Sequence, residues 1–400
     1  MRTGRSGGNG TDLRFSKLRH RSRAPLVARR LRLHIAAMAA AATLAALVGQ
    51  PGHAAPKKIV IGVSSRSYNP GFSNMWIGIP IGLYAPDLAP EALGTQGAAE
   101  NLQLMLSGQV TMGTGIQDVL LNAQAEGRTL PAVIPCVYLR GMVHRISVMP
   151  DSPIKTFADL KGKLVGVPTL SAGQVPYLKF AAKAVGMEPD AIRVVPVGYG
   201  QQAAVALTTG KIDALAHIDV DVARLDSLGI KTRVLDQPET MRDAAVAYVF
   251  GFSRSWYGAN KDAAAELLQG MIKAMVVMLE NPEAAVRISY HMHPEGIPAG
   301  VPFAKAVEDA ILTIKARAPA IEREVGGTHR WCDFTPKGWQ DYVGILGLEG
   351  RADAMKFYTD ELIDKINAFD EPGLRAWARG LKVPDSPAEF QTWAAGLKPP

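Results

Sequence analysis

Hydrophobic positions along this chain fall in short β-branched runs, each followed by a polar turn and then by a stretch with helical spacing. Lys58–Val63 (KIVIGV) reads as a buried strand feeding the loop Ser64-Ser65-Arg66-Ser67. Gly97–Leu106 predicts a helix with Ala98, Leu102, Met105 and Leu106 on one face and Gly108 as its stop. Val110–Gly113 predicts the next strand, Asp118–Ala125 a helix ended by Gly127, and Ala132–Leu139 a further strand.

The same order then returns. Lys163–Val167 predicts a strand, followed by Pro168-Thr169-Leu170-Ser171, a helix over Tyr177–Val185 and a strand over Ile192–Val197. Gln201–Thr208 predicts a helix stopped by Gly210, and Ile212–Ala216 a strand. The phrase SGQVTMGTGIQD at 107–118 is echoed by TGKIDALAHIDV at 209–220; Gly108 to Gly210 is a shift of 102 and Gly62 to Gly166 a shift of 104. Two βαβαβ-like units therefore stand in tandem. Val143–Met149 and Ala245–Ser253 flank the second unit and read as two crossover strands. Residues 143–249 then form an inserted lobe, and residues 55–142 are completed by 250–400. After Trp256 the pattern is helical: Asp262–Glu280, Pro282–Tyr290, Pro302–Ala318, Pro336–Gly347 and Ala354–Ile366, with Asn281-Pro282 as a stop and fresh start.

Charge changes this picture only at the start of the chain. Residues 1–54 hold ten of the 44 basic residues and one of the 37 acidic ones, so the remainder has 34 and 36, a net of −2. A nucleic-acid-binding body is excluded, because no basic surplus is left to neutralise phosphates. Within 1–54, the basic stretch Arg19–Arg32, the apolar stretch Ile35–Val48 and the small-residue site Gly52-His53-Ala54 have the order of an export signal. Fourteen apolar residues fall short of the roughly 20 that a membrane-spanning helix needs. Export by the Sec route is expected, with Arg29-Arg30 leaving a twin-arginine route open. The protein is expected in the periplasm as a monomer. Cys136 reads as a buried core residue, and a bond to Cys332 is the alternative that an oxidising compartment allows.

One phrase carries a family likeness. Pro150-Asp151-Ser152, then Ile154–Lys163 (IKTFADLKGK), then Val165-Gly166-Val167-Pro168 resembles the nitrate/taurine/sulfonate group of periplasmic solute-binding proteins of ABC transporters, which is related to the pyrimidine-precursor synthases of thiamine biosynthesis. Gly198–Asp219 and Ser253–Ala285 are similar to the same group, and the likeness runs from Lys57 to Phe369. It implies an α/β, two-lobed periplasmic-binding-protein fold of type II, each lobe a βαβ-type sheet flanked by helices, joined by two crossover strands. It also implies delivery of a small solute to a permease and its ATPase, with no cofactor. Ala85–Glu91 departs from the family pattern: it is proline-rich where a well-formed second strand is usual.

Candidate ligand residues follow from the open-sheet rule. Ligands sit beyond the carboxyl ends of strands, beside helix N-termini whose free N–H groups suit a carboxylate, sulfonate or nitrate. In the first unit these ends supply Ser65, Tyr68, Asn69, Gln96, Gly97, Ala98, Gly115 and Gln117, with Arg140 at the crossover. The second unit supplies Thr169, Ser171, Ala172, Gly200, His217 and Asp219. Each has an ordinary role beside the ligand role: Ser65 and Ser171 as caps, Gly97 and Gly200 as turn formers, His217 as a satisfied core group, Tyr68 as loop packing. Arg140 leads the charged candidates, since its planar fork holds a carboxylate or sulfonate with two hydrogen bonds; a hinge ion pair is its alternative. His291-Met292-His293 and Asp219-Val220-Asp221 lack the partners of a metal site.

Two functions remain. The first is a non-enzymatic solute-binding protein that captures a small organic solute by lobe closure, an anion or else a neutral heteroaromatic stacked on Tyr68 or Trp76, and passes it to an ABC importer. The second is an enzyme on the same fold, of synthase or desulfinase type, or a ligand-sensing subunit. The consecutive cysteines of the synthases are absent, and Cys136 lies in a strand rather than on an electropositive turn.

Overall fold

The computed structural model describes residues 56–64, 68–170, 172–238, 241, 248–324 and 330–400; the expected export signal lies outside them. Ten strands occur in the described chain: β1 (Lys57–Val63), β2 (Leu88–Gly94), β3 (Met112–Thr114), β4 (Ala132–Leu139), β5 (His144–Val148), β6 (Leu164–Val167), β7 (Arg193–Pro196), β8 (Ala214–Ile218), β9 (Arg233–Val234) and β10 (Tyr248–Ser253). They form two five-stranded mixed sheets, ordered β2-β1-β3-β10-β4 and β7-β6-β8-β5-β9. The two orders are the same pattern written twice. In each sheet a parallel trio is followed by one antiparallel strand, β10 beside β3 and β5 beside β8. Those antiparallel strands are the crossover segments read from the sequence, so the molecule is a two-lobed α/β fold. The chain passes between sheets at residues 140–143 and again between Val234 and Tyr248.

Helices α1 (Ala98–Leu106), α2 (Gln117–Ala125), α3 (Gln174–Ala184), α4 (Gln201–Thr208) and α5 (Asp219–Ser227) connect the strands. The later chain adds α6 (Lys261–Glu280), α7 (Pro282–Met292), α8 (Phe303–Ile321) and α9 (Pro336–Ile345). Asn281 separates α6 from α7 by capping the latter: its Oδ1 accepts from Ala284 N at 3.0 Å, and Pro282 takes the first helical position, where no N–H is needed. Ile59 and Ile61 of β1 pack in one apolar core with Leu267, Met271 and Met275 of α6, all fully buried.

Two sequence expectations change. The proline-rich Ala85–Glu91 does enter the sheet: β2 pairs in parallel with β1 from Leu88 to Gly94, with Pro90 opposite Ile59. It does so as an edge strand, the one place where a missing N–H is tolerated. Ala354–Ile366, expected as one helix, is instead a short turn at Ala354–Lys356 and another at Ile363–Ile366. Between them Tyr358 bridges to Ile134, and β4 gains two hydrogen bonds, Ile134 N to Phe357 O at 2.8 Å and Thr359 N to Ile134 O at 3.1 Å. Covering an open sheet edge outweighs local helix propensity. On the same edge Cys332 is bonded to Cys136, and Val137 N donates to Cys332 O at 3.0 Å.

The lobes are also joined through a buried ion pair. Arg317 of α8 grips Asp219, the first residue of α5, with Nε 3.0 Å from both carboxylate oxygens and Nη2 2.6 Å from Oδ1. The two residues are 1% and 4% exposed, so neither charge has water to fall back on.

Two outcomes follow for stability. Replacing Cys136 and Cys332 together by Ala frees a loop of 196 residues, and urea unfolding should show a loss of about 2–5 kcal/mol. Asp219→Ala strands the Arg317 charge and should cost about 3–5 kcal/mol in the same assay, whereas Asp219→Leu with Arg317→Met should recover most of that loss.

Candidate functional site

The ends of β1 and β3 on one lobe meet the loop after β6 and the start of β5 on the other. On the first lobe, Asn101 of α1 ties two strand ends together, its Nδ2 donating to Gly62 O of β1 at 2.7 Å and to Thr114 O of β3 at 3.4 Å, and also to Ser64 Oγ at 3.0 Å. β3 ends at Gly115, whose φ of +65° bends the chain away and leaves its side-chain position beside Ser64 and the ring of Tyr248. Gln117 and Asp118 then open α2. The Tyr342 hydroxyl, brought in by α9, donates to Asp118 Oδ1 and accepts from Gln117 Nε2 at 3.3 Å. Gln117 is 1% exposed, and its Oε1 has no hydrogen-bond partner among the described residues.

The second lobe meets this cluster with Gly173, Ala172 and His144. A side chain at Gly173 would lie 3.2 Å from His144 Nε2 and 3.7 Å from Asp118 Oδ2, so the carboxylate of one lobe reaches the bare backbone of the other. His144 stacks on Tyr177 with ring centroids 4.9 Å apart, and Gln237 Nε2 fixes that layer by donating to Tyr177 Oη at 3.0 Å and to His144 O at 2.7 Å.

Burial sets the electrostatics. It pushes the Asp118 carboxyl up to about 6, against the lowering effect of the Tyr342 and Gln117 hydrogen bonds. No Lys or Arg pairs with Asp118 among the described residues. His144 is pushed down to about 3 by burial and then by the Arg145 and Arg317 charges; His217 is pushed down to about 3 by burial and Arg145. Both imidazoles are neutral at any physiological pH. Arg317 keeps its charge because the Asp219 carboxylate outweighs the effect of burial.

The sequence-derived candidates divide. Gly115 and Gln117 lie in the cleft cluster, and Ala172 is next to Gly173 across from it. Gly200 and His217 line a separate cavity of about 20 Å³ with Pro168, Tyr199, Asp221 and Arg224, room for about one water. There His217 Nε2 bonds Ser147 Oγ at 2.7 Å while Nδ1 has no partner. Asp219 is engaged by Arg317 rather than turned to a ligand. Thr169 is exposed at the end of β6. Ser65 and Ser171 lie outside the described residues.

Others serve the scaffold. Tyr68 stacks on His293 with ring centroids 3.5 Å apart, and its hydroxyl accepts from Gly94 N at 3.2 Å. Asn69 caps the turn Pro70–Met75 through Gly71 N at 2.8 Å. Gln96 is exposed, its N–H bonded to Glu100; Gly97, at φ +123°, and Ala98 start α1. Arg140 is 2% exposed; its Nη1 donates to Arg330 O at 3.2 Å on the C-terminal segment, and its Nε has no hydrogen-bond partner among the described residues.

Asp118, His144, Tyr177, Tyr248, Arg317 and Tyr342 are absent from the sequence-derived set. Asp118 had a signal, since it closes the repeated strand-end phrase. Tyr342 had none: it lies 224 residues from the carboxylate it bonds.

Comparison with known proteins now has a geometry to stand on. Residues 91–285 match the family model described as NMT1/THI5 like. No curated protein sequence matches the chain. Among solved structures, the chain is similar to the periplasmic aliphatic sulphonate binding protein SsuA of Escherichia coli, at 18% identity and a TM-score of 0.60, over 78% of this chain and 100% of that one. It is similar to the alkanesulfonate-binding SsuA of Xanthomonas axonopodis pv. citri bound to MOPS, at 17% identity, TM-score 0.56, over 76% and 99%. The periplasmic nitrate-binding protein NrtA of Synechocystis PCC 6803 matches at 15% identity, TM-score 0.53, over 83% and 99%. At such identities the likeness is one of fold. Residues 91–285 are thus similar to the NMT1/THI5-like family, and the two-lobed fold is similar to that of the binding proteins named above.

Proposed function

We propose that this chain is an extracytoplasmic solute-binding protein that closes two lobes over a small organic solute and delivers it to an ABC importer. The observation that carries the reading is the interlobe cluster itself: strand ends from both sheets bring Asp118, Gln117 and Tyr342 against His144 and Gly173. Residues 55–142 with 250–400 serve as the first lobe and 143–249 as the second, with the crossovers as hinge. Closure of such lobes is driven by whatever contacts the solute makes to both at once. The basic and apolar segments of residues 1–54 support export to the periplasm. The fold relatives named above, binding proteins for sulphonates and nitrate, support the transport role.

An anionic solute was expected from Arg140 and the helix N-termini. Arg140 donates Nη1 to the Arg330 carbonyl and takes no part in the hydrogen bonds of the Asp118 cluster. The enzymatic alternative of desulfinase type needs a cysteine thiolate, and the chain's two cysteines are bonded to each other.

Thermal unfolding in the presence of candidate solutes tests the reading. A solute that binds only the folded protein, supplied at about 100 times its Kd, stabilises by about 2.7 kcal/mol and raises the melting temperature visibly. It should be recovered chemically unchanged, and small-angle scattering should show a more compact particle. A solute that is consumed would overturn the binding-protein reading in favour of an enzyme.

A further inference from the structure

The cleft has a donor–acceptor imbalance that defines what can fill it. The Tyr342 hydroxyl spends its proton on Asp118 and takes one from Gln117 Nε2. That leaves Gln117 Oε1 as a buried acceptor with no donor among the described residues, and Asp118 Oδ2 3.7 Å from where a side chain at Gly173 would begin. No cation answers the carboxylate among the described residues, whereas the neighbouring Asp219 has Arg317. His144 is neutral and brings no charge of its own, and the Arg145 and Arg317 charges that act on it do not pair with Asp118. An anion would add acceptors to acceptors and negative charge beside an unpaired carboxylate. A group that brings N–H donors and positive charge removes both deficits. Around these atoms the walls are flat or bare: the Tyr248 ring beside Gly115 on one lobe, and Gly173 with the His144 ring on the other.

Resting on the solute-binding reading, we propose that the solute is a flat organic cation, an aryl amidinium or protonated N-heterocycle, whose N–H edge meets the Asp118 carboxylate and Gln117 Oε1. Its ring lies beside Tyr248 over the side-chain-free backbone of Gly115 and Gly173. Cations and N–H edges on aromatic rings are stabilised both by the carboxylate and by the faces of neighbouring aromatic rings.

Four probes of one shape separate charge from size: benzamidine, benzamide, benzoate and benzenesulfonate, each titrated calorimetrically into the full chain at pH 7.5. Benzamidine should bind at least about tenfold more tightly than benzamide, and the two anions should give no heat. Asp118→Asn should weaken benzamidine about tenfold or more and leave benzamide within about twofold, a difference that misfolding would not produce. Benzamidine affinity should also fall about tenfold between pH 7 and pH 5 as Asp118 takes up its proton at about 6. The other groups facing Asp118 hold their state over that range: Tyr342 and Tyr248 are pushed up by burial, His144 is pushed down to about 3, and Arg317 stays paired with Asp219. Binding of benzoate or benzenesulfonate with benzamidine silent would overturn the cation and leave the solute-binding reading standing. Benzamidine affinity that Asp118→Asn does not change would overturn it as well, and so would silence of all four probes, while a hit in the broader solute screen would still support the binding-protein reading.

Discussion

The contact between Arg317 and Asp219 fixes how the two sheets face each other. A guanidinium 1% exposed to water must keep its counter-charge within hydrogen-bond reach, and this one is gripped through two nitrogens at 2.6 to 3.0 Å. Asp219 starts α5 directly at the end of β8, while α8 packs on the Pro70–Met75 turn and on β4. The pair therefore holds one sheet's strand end against the other lobe's helices. Its surroundings admit little slack. Phe72 lies under the guanidinium at 4.8 Å, and a side chain at Gly71 would come within 2.8 Å of Val220.

That constraint decides which charges remain for chemistry in the cleft. Three arginines lie near the first crossover, and each donates to a protein group, with Arg140 Nε left without a partner among the described residues. Arg317 holds Asp219, Arg140 donates to the Arg330 carbonyl, and Arg145 donates to the carbonyls of Met142 and His144 at 2.7 and 2.9 Å. The histidines nearby are neutral because burial and these same arginines disfavour a further positive charge. What is left is a carboxylate, a carboxamide oxygen and aromatic rings. The cleft is polar without being basic, and this follows from the scaffold's own hydrogen bonding rather than from the composition of the strand-end loops.

Local pattern was enough for the sheets. β-Branched runs closed by polar turns located β1, β4 and β6, and the helical stripe of α1 was visible because its neighbours in sequence are also its neighbours on one face. Where distant chain supplies the deciding contact, the sequence was silent. Pro90 sits in a strand because that strand is at an edge, a property of the finished sheet. Ala354–Ile366 gave up its helix to cover β4, more than two hundred residues upstream. Arg140 shows the same limit: the carbonyl that its Nη1 meets belongs to a segment 190 residues on, which no local pattern announces.

The repeated phrase shows how duplication and divergence meet in one position. Gln117 and Asp219 are 102 residues apart, the same shift that relates Gly108 to Gly210, and each is the first residue of the helix that follows the third strand of its sheet. Both side chains are buried, at 1% and 4% exposure, and both turn toward helices added late in the chain, Gln117 to Tyr342 of α9 and Asp219 to Arg317 of α8. One ancestral geometry thus serves two ends. In the second unit the position carries a charge and closes an ion pair, which is complete without a ligand. In the first it carries an amide that is only half satisfied, beside a carboxylate that has no cation. A buried acceptor left open is costly unless something fills it, and the half of the repeat that bears this cost is the half that faces the cleft.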